Sequence, residues 1–284
     1  MEKIKLLVDS ACDLTTEVAE EIDIRIIPFK LTLDGEKYID DKFDITPEEF
    51  YKTLRETDAT PKTAQITPLI FEEVFREELE NADEIIFIGL SAKTSGTFNN
   101  AVLVKNMLEE ETGKKIHLVD AGTFSLGYGD AALRAAKMIK EGKTAEDIVE
   151  ALEEILANTE IYFGVETLDY LKKGGRITTM SAIIGGMLDI RPILKVQDGL
   201  VGAIDKVKGE KKMFLKIEEY IKKETEGLSD FRLILLASDD FSKTEKLREI
   251  AERNNLEVAG EGIVGSTIGC HAGPGAFGVV IVKK

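Results

Sequence analysis

Four segments of the 284-residue chain set hydroxyl, amide, basic or imidazole side chains among glycines and prolines, where a packed interior has no use for them. The first, residues 60–68 (TPKTAQITP), is polar and bracketed by prolines, the pattern of an ordered loop. Thr63 offers a hydroxyl and Gln65 an amide, donors suited to holding a carboxylate without a full ion pair; a plain connection is the alternative. The second, residues 91–101 (SAKTSGTFNNA), follows an apolar strand pattern and precedes a helical one, which sets Ser95, Gly96 and Thr97 at a helix N-terminus. Free N–H groups and the positive end of the helix dipole make such a turn a ready anion site. It also falls at the carboxyl end of a strand, where open α/β sheets take their ligands. A single Ser or Thr cap explains part of this turn, but not a run of hydroxyls around a glycine.

In the third segment, residues 168–191 (LDYLKKGGRITTMSAIIGGMLDIR), Lys172, Lys173 and Arg176 surround a Gly-Gly turn on an otherwise acidic chain. Arg176 can grip an oxygen-rich group with two parallel N–H donors. The apolar stretch that follows contains Ile183, Ile184, Met187 and Leu188, interrupted by Gly185 and Gly186. It reads first as buried helix, yet small and flexible apolar residues together also suit the wall of a narrow apolar cavity. The fourth segment, residues 262–278 (GIVGSTIGCHAGPGAFG), holds His271, one of two histidines, among glycines and a proline that bring backbone close to something. Binding or proton handling near pH 7 follows as an expectation. The other histidine, His117, is embedded in a strand pattern and reads as structural.

Elements must hold these segments in place. Residues 4–8, 84–89, 116–119, 161–165, 233–236 and 278–282 are short β-branched and aliphatic runs that alternate with amphipathic helical patterns. Continuous apolarity suits strands covered on both faces, so the expected class is α/β, as two α/β domains with largely parallel sheets and the ligand site between them. Thr46, Pro47 and Glu49 form a capping box, and Thr144 with Asp147 a looser one. Ile148, Leu152, Ile155 and Leu156 then share the core-facing stripe of one helix. Asn158 and Thr159 end that helix and a strand begins at Ile161, which sets the expected domain boundary near residue 160, giving domains 1–160 and 161–284. Asp40, Asp41 and Asp44 read as a solvated loop, with no metal site expected.

A formal charge of −16 repels nucleic-acid phosphates and anionic headgroups, so neither is the expected partner. No apolar run reaches the roughly 18 residues a membrane span needs. With two cysteines, Cys12 and Cys270, and no signal-like opening, a reducing cytoplasm is the expected location. Two enzyme readings compete. Gly127, Gly129 and Ala132 match G-x-G-x-x-A, but they lie several residues beyond their strand and no acidic residue follows at the right distance for a nucleotide site. Cys270 and His271 could serve a thiol enzyme, although adjacent residues point differently along a chain. A regulatory module without lipid, its glycine loops merely packing the domains together, is the third reading.

Thr63 with Gln65, the triplet Ser95-Gly96-Thr97, the run LKKGGRI over residues 171–177 and HAGPG over residues 271–275 together resemble the DegV family of bacterial proteins, as does the opening VDSACDL of residues 8–14. The match runs essentially end to end in consistent order. It implies a two-domain α/β fold with one long-chain fatty acid buried between the domains as ligand and no cofactor. It also implies a role as the acyl-binding subunit of a fatty acid kinase, a lipid-binding protein whose ATP-binding partner phosphorylates the carboxylate. On that resemblance Thr63, Ser95, Gly96, Thr97 and His271 bind the carboxylate, while Gln65, Arg176 and Lys208 support it or stand at the portal. Phe98, Phe163 and Phe277 join Ile183, Ile184, Met187 and Leu188 as tunnel-lining candidates. Ala64 stands where the family often has serine, and Lys208 where an arginine is expected.

Overall fold

The computed structural model describes residues 2–58, 60–177, 190–197 and 199–283. Ile183, Ile184, Met187 and Leu188, proposed above for a cavity wall, lie outside the described residues.

The chain opens with β1 (Ile4–Asp9), a short 3₁₀ turn over Ser10–Cys12, α1 (Thr16–Glu21) and β2 (Ile24–Ile27). Next come β3 (Lys30–Thr32), β4 (Ile39–Asp40), α2 (Pro47–Glu56), β5 (Lys62–Ala64), α3 (Pro68–Asn81), β6 (Glu84–Gly89), α4 (Thr97–Thr112) and β7 (Lys115–Asp120). Two helices, α5 (Leu126–Lys140) and α6 (Ala145–Ala157), then lead to β8 (Thr159–Gly164) and the short α7 (Asp169–Gly174). The remainder is β9 (Ile190–Gln197), β10 (Leu200–Lys208), α8 (Glu210–Thr225), β11 (Phe231–Ala237), α9 (Ser242–Arg253), β12 (Val258–Ile263), α10 (Ser266–Ala272) and β13 (Phe277–Lys283).

Among the described residues the strands form three sheets, ordered β2-β1-β6-β7, β10-β9-β8-β13-β11-β12 and β4-β3-β5. The first is parallel throughout and buried on both faces: α1, α5 and α6 cover one side and α3 and α4 the other. Every residue of β6 is buried, as its unbroken apolar run demands. The helix starts read from sequence are in place. Thr46 accepts from the Glu49 N–H while Glu49 accepts from the Thr46 N–H, with Pro47 at the first position of α2, and Thr144 accepts from Asp147.

The α/β class holds, but the second sheet corrects the expectation of parallel strands. Its pairs β10–β9, β9–β8, β8–β13 and β13–β11 are antiparallel, and only β11–β12 is parallel. The apolar runs of β8, β11 and β13 report that both faces are covered, by α8 and α9 on one side and by the region facing the first sheet on the other. Coverage says nothing about strand direction, which the connections decide. Asp41 is a second correction: it is fully buried and accepts a hydrogen bond from Thr267 at 2.6 Å, whereas Asp44 is exposed. A loop residue drawn under a neighbouring helix escapes any reading of local polarity.

Candidate functional site

A cavity opens between the two larger sheets. Its wall is mainly apolar, with Phe29, Leu90 and Phe124 from the first half of the chain and Ile161, Phe163, Leu171, Val201, Leu236 and Val264 from the second. Phe124 and Phe163 meet edge to face across this gap, ring centroids 5.6 Å apart. Thr63, Thr94, Ser95, Arg176, Thr267 and His271 supply the polar part of the lining.

Each polar group is positioned by a local rule. Thr63 stands in β5 opposite Leu31 of β3. Ser95 lies one residue before Gly96, the N-cap of α4, which has no side-chain cap of its own. The Ser95 hydroxyl accepts from the Thr97 N–H at 3.2 Å and donates to Thr97 Oγ1 at 3.0 Å. Thr97 is fully buried and its hydroxyl also accepts from the Ile66 N–H, so it ties the two loops together and does not line the cavity. Gln65 lies over Gly96, where a β-carbon would stand 2.8 Å from its amide; neither residue lines the cavity. The glycine thus lets the two loops approach.

His271 is carried by α10, and its Nε2 lies 3.1 Å from Thr63 Oγ1. Burial, with the nearby Arg176 charge, pushes its pKa down to about 4, so the ring is neutral at pH 7. Arg176 is exposed at the cavity and donates from Nη1 to the Gly174 carbonyl at 2.6 Å. Residues 208 positions apart in sequence, Thr63 and His271, therefore share one hydrogen bond. Thr267 and His271 stand one turn apart on α10 and both line the cavity. That spacing of four could have drawn Thr267 into the candidate set, whereas Phe29, Phe124 and Leu236 carry no local signal.

Several candidates fall elsewhere. Phe98 packs beneath the end of β6, where a β-carbon on Gly89 would stand 3.1 Å from its ring, so it belongs to the core of the first sheet. Phe163 and Phe277 border the cavity, the latter with its ring stacked on Phe214 at 4.6 Å. Lys208 is exposed at the far end of β10. Seven residues separate it from Val201 at the cavity, a run of roughly 20 Å along a strand.

The enzyme readings lose their geometry. Gly127 and Gly129 sit inside α5, not in a loop before it, and a β-carbon on Gly129 would stand 2.4 Å from the Cys12 carbonyl oxygen. They permit close packing. Cys270 is buried beside Leu31 and Tyr51, and burial raises its thiol pKa well above the ordinary range, so it is no nucleophile at neutral pH. Away from the cavity, Glu84, His117 and Glu146 bring ligand atoms within 4.8 Å of one another. There His117 is hydrogen-bonded to Glu84, and Lys115 pairs with Glu146 at 2.7 Å. Among the described residues no helix is long and apolar enough to cross a membrane. What remains at the cavity is a set of neutral polar groups and a guanidinium in a mainly apolar wall, chemistry for holding an amphiphile with an acidic head.

Known proteins share this fold. A family model described as "Uncharacterised protein, DegV family" matches residues 3–284. A DegV domain-containing protein of Caldanaerobacter subterraneus is 38% identical over 288 residues, with 100% of both chains covered. A solved DegV family protein from Thermus thermophilus, whose description names fatty acid binding, superposes with a TM-score of 0.90 at 33% identity, covering 99% of this chain and 100% of that one. A stearic acid-binding protein from Eubacterium ventriosum gives a TM-score of 0.91 at 26% identity, covering 99% and 98%.

Proposed function

Since this chain belongs to the DegV family, we propose that it binds one long-chain fatty acid in the cavity between its sheets and presents the carboxylate to an ATP-binding kinase subunit, carrying out no chemistry itself. In this reading residues 1–160 and 161–284 are two domains, with the acyl chain between them. Thr63, Ser95 and His271 hold the head, Arg176 guards the mouth, and Gln65, Gly96 and Thr97 shape the turn that presents Ser95. The protein works in the cytoplasm.

The observation that carries the reading is a mainly apolar cavity between the sheets whose polar lining includes the Thr63–His271 pair and Ser95. Burying roughly 15 methylenes at about 0.8 kcal/mol each supplies on the order of 12 kcal/mol before the costs of association. A hydrogen bond to the charged head adds roughly 1.5 to 3 kcal/mol. The tail therefore sets affinity and the head sets orientation. That division suits a carrier, because the reactive oxygens stay at the mouth whatever the tail.

Lipid extraction of the purified protein followed by mass spectrometry tests the binding. A stoichiometric long-chain fatty acid is expected; a nucleotide would favour the enzyme reading, and an empty extract the regulatory one. Acyl-phosphate formation from ATP by a purified kinase subunit should depend on the loaded protein. Equal formation with free fatty acid alone would remove the presenting role.

A further inference from the structure

Gly174 closes α7 directly against the His271 ring. A β-carbon at this position would stand 2.3 Å from Nδ1 and 3.1 Å from Cε1. Nδ1 itself is buried and has no hydrogen-bond partner among the described residues, while Nε2 faces Thr63 Oγ1 at 3.1 Å. Gly175 then turns the chain in the left-handed conformation, φ +65°, and Arg176 folds back to donate to the Gly174 carbonyl. The first glycine of the Gly-Gly-Arg run thus forms the floor on which the imidazole rests.

We propose that Gly174 is a positioning residue that acts through His271, seating its Nδ1 edge against a bare α-carbon so that the ring carries its proton on Nε2 and donates it to Thr63. The Thr63 hydroxyl hydrogen is then free to point at the ligand's carboxylate. The proposal rests on the fatty-acid reading for the identity of that ligand.

The two neutral tautomers differ in what they leave unpaired. With the proton on Nδ1, a buried N–H faces Gly174 with no acceptor among the described residues, an arrangement folded proteins rarely tolerate. Thr63 must then spend its single hydrogen on Nε2 and offers a carboxylate nothing but lone pairs. With the proton on Nε2, only a lone pair on Nδ1 goes unmet, and the chain of donors runs from imidazole to hydroxyl to carboxylate. A side chain at residue 174 would push the ring off this line and break both steps.

A double-mutant cycle on delipidated protein, with palmitate binding read by calorimetry, tests the coupling. Gly174→Ala and His271→Ala are each expected to weaken binding roughly ten- to hundredfold. The combined variant should bind no worse than His271→Ala alone, because Gly174 has nothing left to position. Additive losses, or unchanged binding in Gly174→Ala, overturn the proposal. The tautomer is read independently in the unmutated, ligand-free protein by ¹⁵N spectroscopy of its two histidines, assigned with His117→Gln. A pyrrole-type Nε2 and pyridine-type Nδ1 at His271 are expected, and the reverse overturns the proposal even if Gly174→Ala fails to fold. Absence of palmitate binding by the unmutated protein, with the Nε2–H tautomer present, would count against the fatty-acid reading and leave the ring geometry standing.

Discussion

Thr63 and Ser95 are ordinary hydroxyls whose importance comes from where they stand. The Ser95 hydroxyl donates to Thr97; a carboxylate is the stronger acceptor and should capture that hydrogen. Replacing both residues by alanine is expected to weaken palmitate binding by at least tenfold with the melting temperature little changed, since neither side chain belongs to the core. Unaltered affinity would take both out of the site. Two buried carboxyls in the opening VDSACDL run carry a different consequence. Burial raises Asp9 to a pKa of about 6 and Asp13 to about 7, the latter despite the nearby Lys42 ammonium and a hydrogen bond from Ser125. Against an unfolded value near 3.9, each binds its proton more tightly in the folded protein. Their stabilisation is complete below about pH 4 and lost as pH rises through the folded values, by at most about 1.4 kcal/mol per group and pH unit. His271, depressed to about 4, has the opposite sign and loses stability as pH falls from about 6.5 towards 4. Denaturant titrations from pH 4 to 8 should therefore show a shallower decline in Asp13→Asn than in the parent. An identical slope would show that Asp13 is ionised in both states.

Elements that announce themselves by cap and periodicity were readable in advance, and those defined by pairing were not. The capping box at Thr46 is made on both sides. Thr46→Ala should cost about 1 kcal/mol in chemical denaturation, without changing ligand affinity, because Thr46 lies outside the cavity lining, as do the Phe50, Tyr51 and Leu54 side chains that anchor α2. A loss in affinity instead would mean that α2 helps to shape the mouth. β3, β4 and β5 are two or three residues long; nothing in so short a run distinguishes a strand from a loop. β9 and β10 mix charged and apolar residues without a clean alternation, so neither run carries a strand's period. Yet β5 delivers Thr63, so one residue legible as a ligand group stood on an element that was not legible.

At the scale of the molecule, the cavity exists because two sheets with separate cores meet over an incompletely filled seam. Filling that seam should couple folding to the ligand. Delipidated protein is expected to melt below the loaded form, and palmitate at a hundredfold excess over its dissociation constant should restore about 2.7 kcal/mol. Scanning calorimetry that found the same melting temperature with and without palmitate would place the fatty acid elsewhere or nowhere. Arg55 of α2 also joins the halves, pairing with Glu166 at 3.0 Å and Asp239 at 2.8 Å. These groups are half exposed, so solvent screens them and the packed apolar wall carries most of the contact.

The sequence by itself determined the α/β class, the positions of six strands and two caps, and the glycine- and hydroxyl-bearing turns from which a ligand could be held. These follow from interactions that neighbours a few residues apart make with one another: backbone periodicity, caps, and the conformational range of glycine. Tertiary structure alone decided which turns meet. It set Thr63 against His271, sent Phe98 and Thr97 into the first half's interior, left Lys208 at the far end of β10, and reversed strands expected to run parallel. Each of those outcomes depends on a contact between residues distant in sequence, whose energy no local pattern records until the chain has closed on itself.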